Sequence, residues 1–288
     1  MVTRINRRWG SAQLPKIGWV RFRWSRDIGD QVRNATVLRD GGHWYVSFCV
    51  EDGRVAAQPS GKPAVGMDRG VATTLATSDG QMYRIPTMPK LVARINRLQQ
   101  RLAPQHKGSV RRAQTKREIA RTWARISARR KDWIEKATTR MADEYGVIVL
   151  EKLDTAAMTR KPKAKPDPEQ PGAFLPNGRR SKAGLNRVIL RSCWGQVAMR
   201  LEQKATANGG TVLRIDPRYT SQTCRKCGHC SPENRKNQAL FLCAECGHRQ
   251  HADLNAATNI LARGLGLAHS PGHGDHAGTR AGTTLVAA

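Results

Sequence analysis

The chain has 288 residues, enough for one large domain or two smaller ones. Fifty Lys and Arg stand against 22 Asp and Glu, a formal net charge of +28, and apolar residues make up 39%. This excess goes beyond what solubility needs and points to a polyanion as partner, nucleic acid first. A merely solvated basic surface is the weaker reading, because the charge is clustered as well as large. No apolar run approaches the ~18 residues of a membrane span, and Met1 to Trp9 lacks the apolar core of a signal peptide. These features exclude a membrane role. Seven cysteines is an odd number and four of them have metal spacing, which reads as a reducing, cytoplasmic interior.

Residues 14–51 read as strands of a small antiparallel, barrel-like unit. Trp19 to Trp24 alternates apolar and basic, as a half-buried strand does. Gly41-Gly42 makes a turn, and His43 to Val50 is a second strand. Trp19, Trp24 and Trp44 are read as core, with stacking on bases as the alternative. Cys49 and Cys193 read as small buried side chains. Gly53 to Pro63 is a linker. Ala64 to Asp68 is an apolar strand ending in a carboxylate, Val71 to Thr77 is another strand, and Asp79-Gly80 is a hairpin signal.

Residues 90–141 read as a helical hairpin broken near Pro104 to Gly108. Leu91, Ile95, Leu98 and Leu102 form one stripe, and Ile119, Trp123, Ile126, Trp133 and Met141 the returning one. Between 90 and 140, sixteen Lys and Arg face three acids, a candidate phosphate track. Gly146 to Glu151 is an apolar strand ending in a second carboxylate. Residues 155–185, basic and rich in Pro and Gly, read as a mobile loop able to lie over a site as a lid. Residues 186–207 form an amphipathic helix and Thr211 to Ile215 a strand. The stretch from 265 to 288, with His269, His273 and His276, reads as a disordered tail in which metal binding is the weaker reading.

Cys224-x2-Cys227 and Cys243-x2-Cys246, fifteen residues apart, match a tetrahedral structural zinc site. Each pair is followed by Gly and His, and a glycine there suits a tight turn whose amides face thiolate sulfur. Cys230 reads as a loop bystander. Acids are scarce, so Asp68, Glu151 and Asp253 stand out: two end apolar strands and the third opens an apolar helix. Alternating strands and helices can gather them at one sheet edge. Three carboxylates on a basic body suit Mg²⁺ and phosphoryl chemistry. Taken one at a time, Asp253 could be a helix cap, Glu151 a solvated strand end and Asp68 a turn residue.

Four segments, Gly66 to Val71, Val149 to Leu153, Pro217 to Gly228 and Ala252 to Ala257, occur in an order that resembles the TnpB (OrfB) proteins of insertion sequences. These are RNA-guided DNA nucleases and relatives of the compact type V CRISPR effectors. The resemblance implies an α/β, RNase H-like (RuvC) fold with an inserted zinc ribbon, preceded by a partial β-barrel, or wedge, segment. It implies a wedge segment at 1–60 and the first part of the nuclease domain at 61–215, with the hairpin 90–141. The ribbon then occupies 216–250, the last nuclease motif 251–264 and the tail 265–288. Asp68, Glu151 and Asp253 fall on the catalytic Mg²⁺-binding positions, and Cys224, Cys227, Cys243 and Cys246 on the zinc positions. Asn255 and Asn259 match the pattern too, either as supports of the site or as ordinary helix-start residues. The implied activity is Mg-dependent, RNA-guided DNA cleavage. A guide RNA from the transposon end and target DNA are the partners, in a prokaryotic cytoplasm and on the nucleoid when DNA is bound. Relative to this family the chain starts inside the wedge, without the rest of that domain or the helical recognition lobe. The alternative function is therefore a truncated, non-cleaving nucleic-acid-binding regulator of transposition.

Overall fold

The computed structural model describes residues 1–28, 31–40, 42–51, 57–170 and 172–267. The chain divides into two compact units, Met1–Ala57 with Pro86–Lys136, and Gln58–Ile85 with the chain from Ala137 onward. Gly41, residues 53–56 of the linker, and the tail histidines lie outside the described residues.

In the first unit β1 (Val2–Arg4), β2 (Trp9–Leu14) and β3 (Gly18–Arg23) form an antiparallel sheet, and β4 (Val32–Asp40) pairs with β5 (His43–Val50) in a separate hairpin. Phe22 of β3 and Phe48 of β5 meet at 5.1 Å between ring centroids. Gly10 and Ala12 are the only buried positions of these five strands. The core reading of the tryptophans is therefore overturned for two of them: Trp19 is 54% and Trp44 68% exposed. Arg39 lies over the Trp44 ring and Arg21 over Trp9. Cys49 is exposed as well, because it points away from Phe48 on an alternating strand.

The helical hairpin is present as α1 (Pro89–Leu102), opened by proline at its first position, and α2 (Val110–Glu144). Arg112 closes the turn by donating to the carbonyls of Leu102 and Gln105 at 2.7 and 2.9 Å. Met88, Ile95 and Ile126 make the seam, with Leu91 and Val92 against it. The returning stripe differs from the apolar pattern: Trp123 is exposed, while Thr115 and Thr122 are buried. Each threonine hydroxyl donates to the carbonyl four residues back, which lets a polar side chain sit in the seam.

The second unit is a five-stranded mixed sheet in an α/β arrangement. It contains β6 (Ala64–Asp68), β7 (Leu75–Thr77), β8 (Met82–Tyr83) and β9 (Val147–Glu151). After β9 come α3 (Thr155–Met158), a small hairpin of β10 (Lys165–Pro166) and β11 (Phe174–Leu175), and α4 (Arg179–Arg191). Residues 155–185 are thus more ordered than a loop. The helix read over 186–207 is two helices, because Cys193 takes a left-handed φ of 55° between α4 and α5 (Trp194–Ala207). β12 (Thr211–Ile215) completes the sheet, in the order β12-β9-β6-β7-β8. β6, β9 and β12 run parallel, and β7 and β8 antiparallel. The ribbon pairs β13 (Leu240–Leu242) with β14 (Arg249–His251) and leads directly into α6 (Ala252–Gly264).

The runs read as Ala64–Asp68 and Thr211–Ile215 match β6 and β12, and Val65, Met67, Ile148, Val149 and Leu150 are fully buried. α6 presses on β6 at Gly66, where a Cβ would collide with the Ala257 carbonyl and lie 2.5 Å from the Leu261 nitrogen. That glycine lets the helix carrying Asp253 lie directly on the strand carrying Asp68. Among the described residues no helix is long and apolar enough to cross a membrane.

Candidate active site and metal centre

The last paired residues of β6 and β9 are Met67 and Leu150, so Asp68 and Glu151 are the next step at the same edge of the sheet. Neighbouring strands lie about 4.8 Å apart, and in open α/β sheets this carboxyl edge is where ligands bind. Asp253 arrives from the first turn of α6. It does not cap that helix: His251 does, its Nδ1 accepting from the Asp253 backbone N–H at 3.3 Å. The Asp253 side chain is instead buried, 3.7 Å from Arg235 of the ribbon. A Cβ on Gly70 would stand 3.9 Å from Asp253 Oδ2, which puts the third acid against the Asp68–Gly70 turn. The indole of Trp194 donates to the Gly70 carbonyl at 3.2 Å and pins that turn.

Asp68 feels the other two acids. Burial pushes the Asp68 carboxyl up to about 7, reinforced by the charges of Glu151 and then Asp253 and opposed by Arg235. Burial also raises Glu151, against the Thr220 hydroxyl and Arg69, and raises Asp253 against His251 and Arg235. Arg69 is itself buried and donates to the Glu151 backbone carbonyl, while its Nε has no hydrogen-bond partner. Buried hard oxygen donors, one of them raised further by its two acidic neighbours, suit a divalent cation, which relieves the repulsion a proton otherwise relieves. The three carboxylates do not crowd together as closely as the cysteines. Among the described residues only the cysteine set gathers its ligand atoms within 4.8 Å.

That set is Cys224, Cys227, Cys243 and Cys246, and it can hold a metal ion such as zinc. Cys224 and Cys246 sulfurs are 3.7 Å apart and Cys227 and Cys243 sulfurs 3.6 Å, against ~3.8 Å for tetrahedral ligands at zinc–sulfur length. The two knuckles are copies. Cys224 N–H donates to the His229 carbonyl and Gly228 N–H to the Cys224 carbonyl, and Cys243, His248 and Gly247 repeat this. Gly228 and Gly247 take φ of 78° and 68°, which explains both glycines. The His248 backbone N–H pulls the Cys246 thiol down to about 7, while the Cys224 and Cys227 thiols are raised in the same cluster. Buried Asn234 ties the knuckles together, donating to Gln222 and His229 carbonyls and accepting from Ala244 N–H. Cys230 stays exposed and outside the cluster, as expected.

Asn255 and Asn259 join the two sites. Asn255 donates to the Thr223 carbonyl at 2.8 Å and accepts from Arg225 N–H, and Asn259 donates to the carbonyls of Thr220 and Thr223. They clamp the turn ahead of the first cysteine onto the helix of Asp253. Sequence reasoning missed Thr220, Arg69, Arg235 and His251. Arg69 had a signal, a cation beside a strand-end acid. Thr220, 69 residues from Glu151, had none, since no spacing rule links a turn to a distant strand.

Two family models match: "Probable transposase" over residues 47–161 and "Cas12f1-like, TNB domain" over residues 194–260. The chain is similar to the putative RNA-guided DNA endonuclease InsQ of Escherichia coli strain K12, 37% identical over 87% of this chain and 61% of the relative. It is similar to a putative RNA-guided DNA endonuclease of Streptomyces pristinaespiralis, 32% identical over 85% of this chain and 56% of the relative. A shorter stretch, 26% of this chain and 18% of the relative, is 51% identical to the CRISPR-associated endodeoxyribonuclease Cas12f1 of Sulfoacidibacillus thermotolerans. The chain thus spans 56–61% of the length of the first two relatives.

Proposed function

This chain belongs to the TnpB (OrfB) family, and from that premise we propose that it is an RNA-guided DNA endonuclease whose acids Asp68, Glu151 and Asp253 hold Mg²⁺. The observation that carries the reading is the meeting of Asp68 and Glu151 on adjacent strand ends with Asp253 of α6, where burial, reinforced by the charges of Glu151 and Asp253, raises the Asp68 carboxyl to about 7. The sheet order supports an RNase H-like (RuvC) domain, with β6, β7 and β8 antiparallel and β9 and β12 added in parallel. On this reading residues 1–60 are a wedge segment, 61–215 and 251–264 the nuclease domain, and 216–250 a ribbon that binds target nucleic acid. The four thiolates hold zinc structurally, because they leave no coordination position open. Guide RNA from the transposon end and target DNA are the partners, and the cytoplasm the compartment.

When bound, Mg²⁺ would supply charge neutralisation at the phosphodiester and a more acidic water. The protein's own contribution is placement. β6 and β9 bring two carboxylates to adjacent strand ends, α6 brings the third, and Arg235 balances Asp253. The excess of Lys and Arg attracts the nucleic-acid backbone. The test is cleavage of single-stranded DNA with Mg²⁺, with and without co-expressed transposon-end RNA. Cutting that requires the RNA and falls by on the order of a thousandfold in Asp253→Ala supports the reading. Tight RNA or DNA binding without cutting would replace it with a non-cleaving regulator of transposition.

A further inference from the structure

Glu151 is buried, and Arg69, Arg263 and Arg235 act on its carboxylate through their charge. The hydroxyl of Thr220 donates to Glu151 Oε1 at 2.6 Å, a charge-assisted length. Thr220 is itself 2% exposed and lies on the turn between β12 and the first cysteine. That turn is held at every step. Asn259 of α6 takes the Thr220 carbonyl at 2.9 Å, and Arg263 takes those of Asp216 and Arg218 at 2.8 Å. Gln222 and Thr223 amides donate to the carbonyl of Tyr219, a non-glycine residue at φ 64°. Asn255 fixes the Thr223 carbonyl and the Arg225 amide on either side of Cys224. The hydroxyl also lies 3.0 Å from the Pro217 carbonyl, but it has one proton, and an ionised carboxylate is the stronger acceptor.

We propose that Thr220 is a positioning residue that transmits the order of the four-cysteine ribbon to the acidic site, by holding the Glu151 carboxylate in the orientation from which it faces Asp68. The proposal rests on the reading of Glu151 as a ligand of the catalytic metal. A free carboxylate on a strand end turns about its side-chain bonds. Thr220 removes that freedom from a turn fixed by α6 on one side and by a ribbon knuckle on the other. The ribbon then does more than hold itself together, because its first knuckle sets the carboxylate of a strand 69 residues away.

The experiment is Mn²⁺ binding to the zinc-loaded full chain, read by electron paramagnetic resonance of the free ion, with zinc content measured for every variant. Thr220→Val keeps the shape and removes the hydroxyl, and should weaken Mn²⁺ binding about tenfold, the low end for groups that orient a metal ligand. Thr220→Ser should bind within about twofold of the parent, because it keeps the hydroxyl. In a Glu151→Ala background, which removes the acceptor, Thr220→Val should change nothing further. If valine lowers the zinc content, the comparison passes to Thr220→Ala against Thr220→Ser, with the same expectation. The proposal is overturned by parental Mn²⁺ affinity in the valine variant, by serine binding as weakly as valine or alanine, or by an undiminished loss in the Glu151→Ala background. Asp68→Ala separates the two readings. If it leaves Mn²⁺ affinity unchanged, the metal site itself is wrong, whereas a loss there with none in Thr220→Val removes only the role of Thr220.

Discussion

The two units of this chain use similar strands and end up in opposite conditions. β6 and β9 are covered by α6, and Val65, Met67, Ile148, Val149 and Leu150 are fully buried. β1 to β5 bury only Gly10 and Ala12, and leave Trp9, Trp19, Trp44 and Tyr45 exposed. Alternation and β-branching make a strand, but a covering layer makes a core. The difference separates tasks. The covered sheet raises carboxylate proton affinities by burial, which a two-layer sandwich can do and a thin sheet cannot.

The largest expected effect breaks the comparison at its glycines. Gly10 and Gly66 both leave too little room for a methyl group. On Gly66 the methyl would meet backbone, Ala257 O and Leu261 N, which move only if α6 moves. On Gly10 it would meet the ring edges of Trp24 at 2.5 Å and Phe22 at 2.8 Å, and a half-buried ring can turn away. Gly66→Ala should cost about 4 kcal/mol and Gly10→Ala about 1 kcal/mol, measured by thermal or denaturant unfolding. Equal costs would mean that the first unit is packed as rigidly as the second.

A smaller effect tests the electrostatics of the covered unit. Asp68 titrates near 7 in the folded state and at 3.8 as an isolated group. Between those values the folded protein keeps a proton that the unfolded chain has released. Metal-free stability therefore falls as pH rises through this window, and the loss is complete above about 7. Asp68→Asn should stabilise the zinc-loaded, Mg-free protein by roughly 2–3 kcal/mol at pH 8 and by almost nothing below pH 3.8. Unfolding curves at the two pH values check it. Adding Mg²⁺ at pH 8 should shrink the advantage, since only the parent chain gains from binding. A pH-independent difference would mean that Asp68 is not electrostatically strained.

Asp68, Glu151 and the four cysteines were legible in the sequence for physical reasons. A short apolar run ending in a carboxylate places its last residue at a sheet edge, and metal ligands need fixed chain spacing. Asp253 was legible as an acid opening a helix, but the residue that caps that helix, His251, was not, since a histidine imidazole is an uncommon cap. The break at Ser192–Cys193 carries no Gly or Pro, so nothing local announces the left-handed Cys193. Thr115 and Thr122 read as polar yet lie in the hairpin seam, because each hydroxyl is satisfied within its own helix. Thr220 was invisible for the opposite reason: its partner is set wholly by tertiary packing.

The smallest effect on stability sharpens the comparison from the other side. Trp44 is 68% exposed, and the Arg39 guanidinium stands 5.6 Å from its ring centroid. An exposed contact of that kind contributes about 0.5–1 kcal/mol, so Trp44→Ser should lower stability by less than about 1 kcal/mol. A core tryptophan would cost several times more. An exposed indole beside a guanidinium, on a chain of net charge +28, is also a surface on which an unpaired base can stack. Base stacking on an aromatic ring is worth ~1–3 kcal/mol, so the same variant should weaken single-stranded RNA binding by about fivefold or more at fixed salt. Filter binding or fluorescence anisotropy beside an unfolding curve separates the cases. A large stability loss would show that the first unit has a core around Trp44 after all. Unchanged stability with unchanged RNA affinity would leave the open aromatic face without a role in stacking, and would restrict RNA contact to the charges.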